Sequence, residues 1–235
     1  MKILFQLILL IGLLFLVNGV FQIVRKPSEL LSLFSREAFH SMRSTWNEYR
    51  DEFEENETDL ISAEYLAALS QVESAGNATA TPEWHWRWTI DMTRIYAPAS
   101  SSVGLFQYTD ATFKDAKRFC IHRGRAVLQG KWYDPTSCWF TMLYSRLSAS
   151  DSIEMTAARL DHYVRKLLRQ TGSPATTALQ TDNLASIIHL CGTRKGLRFA
   201  GDGFQLKSFQ YCGSHKVASY LSRIDHLKKR LVRMQ

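Results

Sequence analysis

The residues of this chain best placed to do chemistry are one glutamate and a glycine-containing segment that follows it. Glu73 lies in Ala68-Leu69-Ser70-Gln71-Val72-Glu73-Ser74-Ala75-Gly76-Asn77, and Val103-Gly104-Leu105-Phe106-Gln107 comes later. No Gly or Pro interrupts the stretch before Glu73, and Asp59 or Ser62 can cap its start. Leu66, Leu69 and Val72 recur at helical spacing, so a helix is predicted there. Glu73 then emerges on the apolar side of the helix or at its border, just before Gly76 ends it. Partial burial and the negative end of the helix dipole both favour the protonated acid. A carboxylic acid that keeps its proton near neutral pH suits protonation of a glycosidic oxygen. The plainer alternative is a helix-end glutamate that faces water.

The elements that would position these groups are mostly helices. Met42, Trp46, Tyr49 and Phe53, preceded by Phe39, repeat at spacings of three and four, which predicts an amphipathic arm packed on the domain. Ile153, Ala157, Leu160, Val164 and Leu167 define a long helix ending at Gly172-Ser173-Pro174. Thr181-Asp182 can cap another, carrying Ile187, Ile188 and Leu190 and stopping at Gly192. Gly201-Asp202-Gly203 is a turn, of a hairpin at most. A final helix carries Val217, Tyr220, Leu221, Ile224 and Leu227. Trp84-His85-Trp86-Arg87-Trp88 alternates aromatics, and an extended segment would put all three indoles on one face. Trp86 and its neighbours are candidates for stacking on sugar rings in a groove wall, or for aromatic core packing. Arg87 or Arg94 is a candidate partner for a substrate carboxylate.

Glu73-Ser74, followed by Ser101-Ser102-Val103-Gly104-Leu105-Phe106-Gln107, resembles the soluble lytic transglycosylase family, whose fold is related to goose-type lysozyme. That family's third motif, Ala-Tyr-Asn-Ala-Gly, falls on Ile188-His189-Leu190-Cys191-Gly192, where only the glycine is kept. Its fourth, opening on a tyrosine, fits Tyr220-Leu221-Ser222-Arg223-Ile224. The resemblance covers residues 60–227. It implies a mainly α, lysozyme-like domain with at most a small β element. It also implies cleavage of the β-1,4 bond between N-acetylmuramic acid and N-acetylglucosamine in peptidoglycan, with 1,6-anhydro ends, one catalytic glutamate and no metal or organic cofactor. In this reading Glu73 is the acid and then the base. Ser74 holds Glu73 or the substrate acetamido group, or else bonds the helix-end backbone. Gln107 and the backbone of Gly104, Leu105 and Phe106 hydrogen-bond the sugar. Tyr220 aims its hydroxyl at Glu73, and His189 stands where the family has tyrosine. Leu190 replaces an asparagine and loses a polar contact. A two-carboxylate hydrolase would instead need Asp91, Asp110 or Asp115 as partner. Asp110 is more simply a helix cap, and Asp115 lies in that helix beside Lys114. The alternatives are a hydrolytic muramidase on the same fold and a wall-binding protein without activity.

The chain of 235 residues carries a formal charge of +7, of which Lys2, Arg25 and Lys26 supply three. The rest suits an anionic wall polymer or membrane surface. No zinc-finger spacing, recognition-helix pattern or basic stripe with interleaved aromatics points to nucleic acid. Residues 1–26 read as a membrane-spanning anchor or a cleavable signal, and export follows from either. Residues 27–58 are the helical arm and 59–235 the catalytic domain. Cys120, Cys138, Cys191 and Cys212 fit an oxidising compartment, with three connectivities open and neighbour pairing closing the shortest loops. The expected location is the periplasmic side of a bacterial inner membrane.

Overall fold

The computed structural model describes residues 2–25, 41–82, 84–86, 88–89, 96–98, 100–131, 133–134, 136–172, 177–207 and 209–235. Within these the architecture is mainly α, with three two-stranded antiparallel hairpins. Phe39, Arg87, Asp91 and Arg94 lie outside the described residues, as do Ser173 and Pro174 of the expected break.

Helix α1, Lys2–Arg25, exposes its apolar side chains along its described length, among them Leu4, Phe5, Ile8 and Leu16. Its side chains are described without interruption over residues 4–18, about 22 Å of helix at 1.5 Å per residue. Among the described residues no helix is long and apolar enough to cross a membrane. The spanning anchor expected over residues 1–26 is therefore not supported.

Helix α2, Met42–Glu55, buries Met42, Thr45, Trp46 and Phe53 and packs on the domain as the expected arm, with a break in helical geometry at Tyr49. Helix α3, Ala63–Ser74, is capped by the Ser62 side chain, which accepts from the Tyr65 N–H. It runs through the middle of the core instead of lying on it. Tyr65, Leu66, Ala67, Ala68, Leu69 and Ser70 are all buried, because α2 and the helices Ala149–Thr171 and Val217–Val232 cover it from several sides. Two alanines and a serine within this run let those neighbours approach closely.

Hairpin β1–β2 pairs Trp84–Trp86 with Tyr96–Pro98. Helix α4, Asp110–Ala116, is capped by Thr109, which accepts from the Thr112 N–H, so Asp110 is its first residue and not its cap. Hairpin β3–β4 (Phe119–His122 with Arg125–Leu128) gave no sequence signal. The Cys120–Cys138 bridge ties it to a short 3₁₀ turn, Trp139–Leu143.

Helix α5, Ala149–Thr171, buries Ile153, Ala157, Leu160, Val164 and Leu167 as expected and ends at Gly172 in the left-handed region. Helix α6, Ala178–Cys191, begins before the expected Thr181-Asp182 start. Thr177 and Gln180 form a capping box there, satisfying two backbone N–H groups reciprocally. Helix α7, Thr193–Gly201, follows directly. The last hairpin joins Tyr211–Cys212 to His215–Lys216 (β5, β6), later than the Gly201–Gly203 turn. Helix α8, Val217–Val232, closes the core with Val217, Tyr220, Leu221 and Ile224.

Candidate functional site

The local folding of Glu73's helix sets its direction. Helix α3 ends with Ala75 and Gly76 both in the left-handed region, and the Gly76 N–H returns to the Ser70 carbonyl. A Cβ at Gly76 would fall 1.9 Å from Thr45 Oγ1 on α2. This close approach seats α3 against the arm and leaves Glu73 at the mouth of a cleft of about 450 Å³. The cleft is lined by the Ser100, Ser102, Thr109 and Thr112 hydroxyl side chains and by Gln107 on one side. His189, Leu190, Lys195, His215 and the Cys191–Cys212 bridge line the other. Glu73 is the single carboxylate among the described residues of this lining.

The side chain of Glu73 keeps 15 % of its surface exposed. Burial pushes its carboxyl up from 4.5 to about 7. The Tyr220 hydroxyl, which donates to Oε1, and the nearby Arg223 guanidinium both pull the other way. His189 Nε2 stands 3.6 Å from the same oxygen. Burial and the field of Arg159 push the imidazole down to about 3, opposed by its hydrogen bond to the Phe106 backbone, so it is neutral at physiological pH. Tyr220 and His189 both gather at Oε1, which leaves Oε2 as the oxygen on which the protonated acid can hold its hydrogen.

The second motif is joined to the first by side chains. Ser74 donates to the Leu105 carbonyl at 2.8 Å, with the Ser70 carbonyl also in reach at 3.1 Å. Its hydroxyl is thus engaged with backbone, the plainer of the two expected roles. Leu105 and Phe106 are fully buried and belong to the core. Their backbones meet Ser74 and His189, bracing the site, and neither residue belongs to the cleft lining. Gly104, at φ 84°, receives the Gln107 side-chain amide at 3.0 Å on its carbonyl and is not part of the lining. The same amide reaches the Ala80 carbonyl at 3.3 Å, so Gln107 has its oxygen to offer a ligand N–H.

Gly104 admits no side chain, since an added Cβ would lie 1.9 Å from the Arg146 carbonyl oxygen. Gly104→Ala is expected to cost about 2–4 kcal/mol through backbone strain and the forced shift of that carbonyl. Urea unfolding measures it, and a loss below about 0.5 kcal/mol would count against the packing described here.

Trp86 is not brought to the site. It is 60 % exposed in β1, where its ring meets Phe15 of α1 edge-on at a centroid distance of 5.3 Å, and it does not line the cleft. The strand pairing with Tyr96 fixes that direction. Neither described candidate for a second carboxylate lines the cleft, and each is paired elsewhere. Asp115 accepts from Arg159 Nε at 2.8 Å and from Tyr163, and Asp110 pairs with Arg146 at 2.8 Å. The cysteines form Cys120–Cys138 and Cys191–Cys212, the neighbour pairing. Their sequence separations are 18 and 21 residues, loops long enough to contribute roughly 3 kcal/mol each. Lys195 and His215 were not singled out from sequence. Lys195 follows Cys191 by four residues, and the bridge beside it was the available signal.

Among the described residues no group of His, Cys, Asp and Glu side chains could hold a metal ion. No family model, curated protein or solved structure matches this chain.

Proposed function

We propose that this protein is a peptidoglycan lytic transglycosylase with a lysozyme-like domain, acting outside the cytoplasm in a bacterial envelope. The observation that carries the reading is a largely buried glutamic acid, held near neutrality in its pKa, at the edge of a cleft with no second carboxylate among its described lining residues. The motif resemblance supplies the substrate class, and two disulfides fit an exported protein.

In the proposed reaction Glu73 delivers its proton to the bridging oxygen of the muramic acid–glucosamine bond as the C1–O bond breaks. The acetamido carbonyl oxygen of the muramic residue attacks C1 and holds the positive charge as a cyclic oxazolinium. The Glu73 carboxylate then removes the proton from the muramic 6-hydroxyl. O6 displaces the acetamido oxygen at C1, closing the 1,6-anhydro ring and returning Glu73 to its acid form. In this reaction Gln107 Oε1 accepts the acetamido N–H, and Tyr220 steadies the carboxylate in the second half.

Digestion of purified sacculi, followed by mass analysis, tests this. Release of 1,6-anhydromuropeptides supports the proposal. Products heavier by one water would show a muramidase, and binding without any product would show a wall-binding protein.

Tyr220→Phe separates positioning from folding. The lost hydrogen bond had held the Glu73 pKa down, so the pH at which activity falls off in base is expected to rise. The maximal rate should drop about 10- to 100-fold. An unchanged pH profile would remove Tyr220 from the mechanism.

A further inference from the structure

One wall of the cleft carries a cation that the cleavage chemistry does not use. Lys195 lies in the first turn of α7, where no acidic residue occurs and Arg194 precedes it. A positive side chain at a helix N-terminus opposes the helix dipole, so this placement works against helix stability. The ammonium bridges to β5, donating to the Tyr211 carbonyl at 2.8 Å. It lies 3.5 Å from Cys212 Sγ and 5.1 Å from the Phe209 ring centre. A lysine ammonium has three hydrogens; the Tyr211 carbonyl takes one and the Cys212 sulfur a second, weakly, which leaves one to donate. Among the described residues no carboxylate pairs with Lys195, although it lines the same cleft as Glu73. The opposite wall offers hydroxyls and an amide, and Glu73 itself is largely uncharged below about pH 7. The cleft therefore presents a cation with no built-in counterion.

We propose that Lys195 is a specificity-determining residue that takes a carboxylate carried by the bound glycan, with the Cys191–Cys212 bridge holding the wall on which it stands. This rests on the glycan reading of the cleft and adds to it a charge requirement on the substrate. Two sources offer that chemistry: the lactyl carboxylate of muramic acid once its peptide is removed, and the carboxylates of an attached peptide stem.

The test is calorimetric titration of the full chain in a Glu73→Gln background, which prevents turnover. Three probes are compared at low salt: a neutral chito-oligosaccharide, a peptide-free muramic-acid glycan and a peptide-bearing glycan. Adding Lys195→Gln is expected to weaken binding about tenfold for at least one carboxylate-bearing probe and to leave the neutral probe unchanged. The probe that loses affinity identifies the source. Lys195→Arg should restore most of the affinity. Equal loss on all three probes would reduce Lys195 to a brace for β5, and no loss on any would remove it from recognition. Either result overturns the subsite while leaving the glycan reading standing. Failure of the Glu73→Gln chain to bind any of the three overturns both together.

Discussion

Glu73→Gln is expected to lower the cleavage rate by about a thousandfold or more while leaving glycan binding near its original strength. The amide has the shape of the acid but neither a transferable proton nor a basic oxygen. Positioned general acid–base groups contribute roughly 10² to 10⁴ in rate, and in the proposed reaction one residue serves both halves. No neighbour can replace it. Asp115 and Asp110 are bound to Arg159 and Arg146, and His189 is held neutral and buried with 8 % of its side chain exposed. The measurement is the initial rate of anhydromuropeptide release from sacculi, beside a binding isotherm. A variant keeping more than about a tenth of the rate would remove Glu73 from the chemistry.

The same substitution should stabilise the fold in mild base. The folded-state pKa of Glu73 is raised from 4.5 to about 7 by burial. Between those values the folded chain holds a proton that the unfolded chain has lost, so stability falls as pH rises through the window. Above it the full cost applies, about 3 kcal/mol, because each tenfold change in proton affinity is worth about 1.4 kcal/mol. Glu73→Gln has no proton to lose there. It should equal the unmodified chain at pH 4 and exceed it by about 3 kcal/mol at pH 8 in urea unfolding. His189 has the opposite sign. Its folded pKa is depressed from 6.5 to about 3, so its contribution is lost as pH falls through that range, in both proteins. Equal stability of the two proteins at pH 8 would mean that Glu73 is not desolvated in the fold.

Most of the helical frame was legible in the sequence because its helices bury one stripe each. The five apolar positions of α5 are all buried, and those of α8 from Val217 to Ile224 face the core. Helix α3 was legible as a helix but not as a central one, since Leu66, Leu69 and Val72 form a stripe whereas the structure buries Tyr65 through Ser70 without a gap. Alanine and serine carry no periodic signal, and only the neighbours that cover them reveal their burial. Within the site, Glu73 could be named from residue type and helical spacing, whereas Gln107, Tyr220 and His189 came only through the motif resemblance. Leu105 and Phe106 could not be separated from the lining, because a motif records which residues recur, and bracing recurs as well as contact. Trp86 misled because alternation fixes a face but not what that face meets. Lys195 stands four residues after Cys191, but that spacing signals the cleft only once the 191–212 pairing and the hairpin that its ammonium meets are known.

The hydroxyl of Ser74 on the Leu105 carbonyl fastens one flank of the cleft to α3, and the Cys191–Cys212 bond fastens the other to the end of α6. Widening the trough would mean breaking one of these two ties. Under the proposed function, the glycan is then laid into a groove that exists before it arrives.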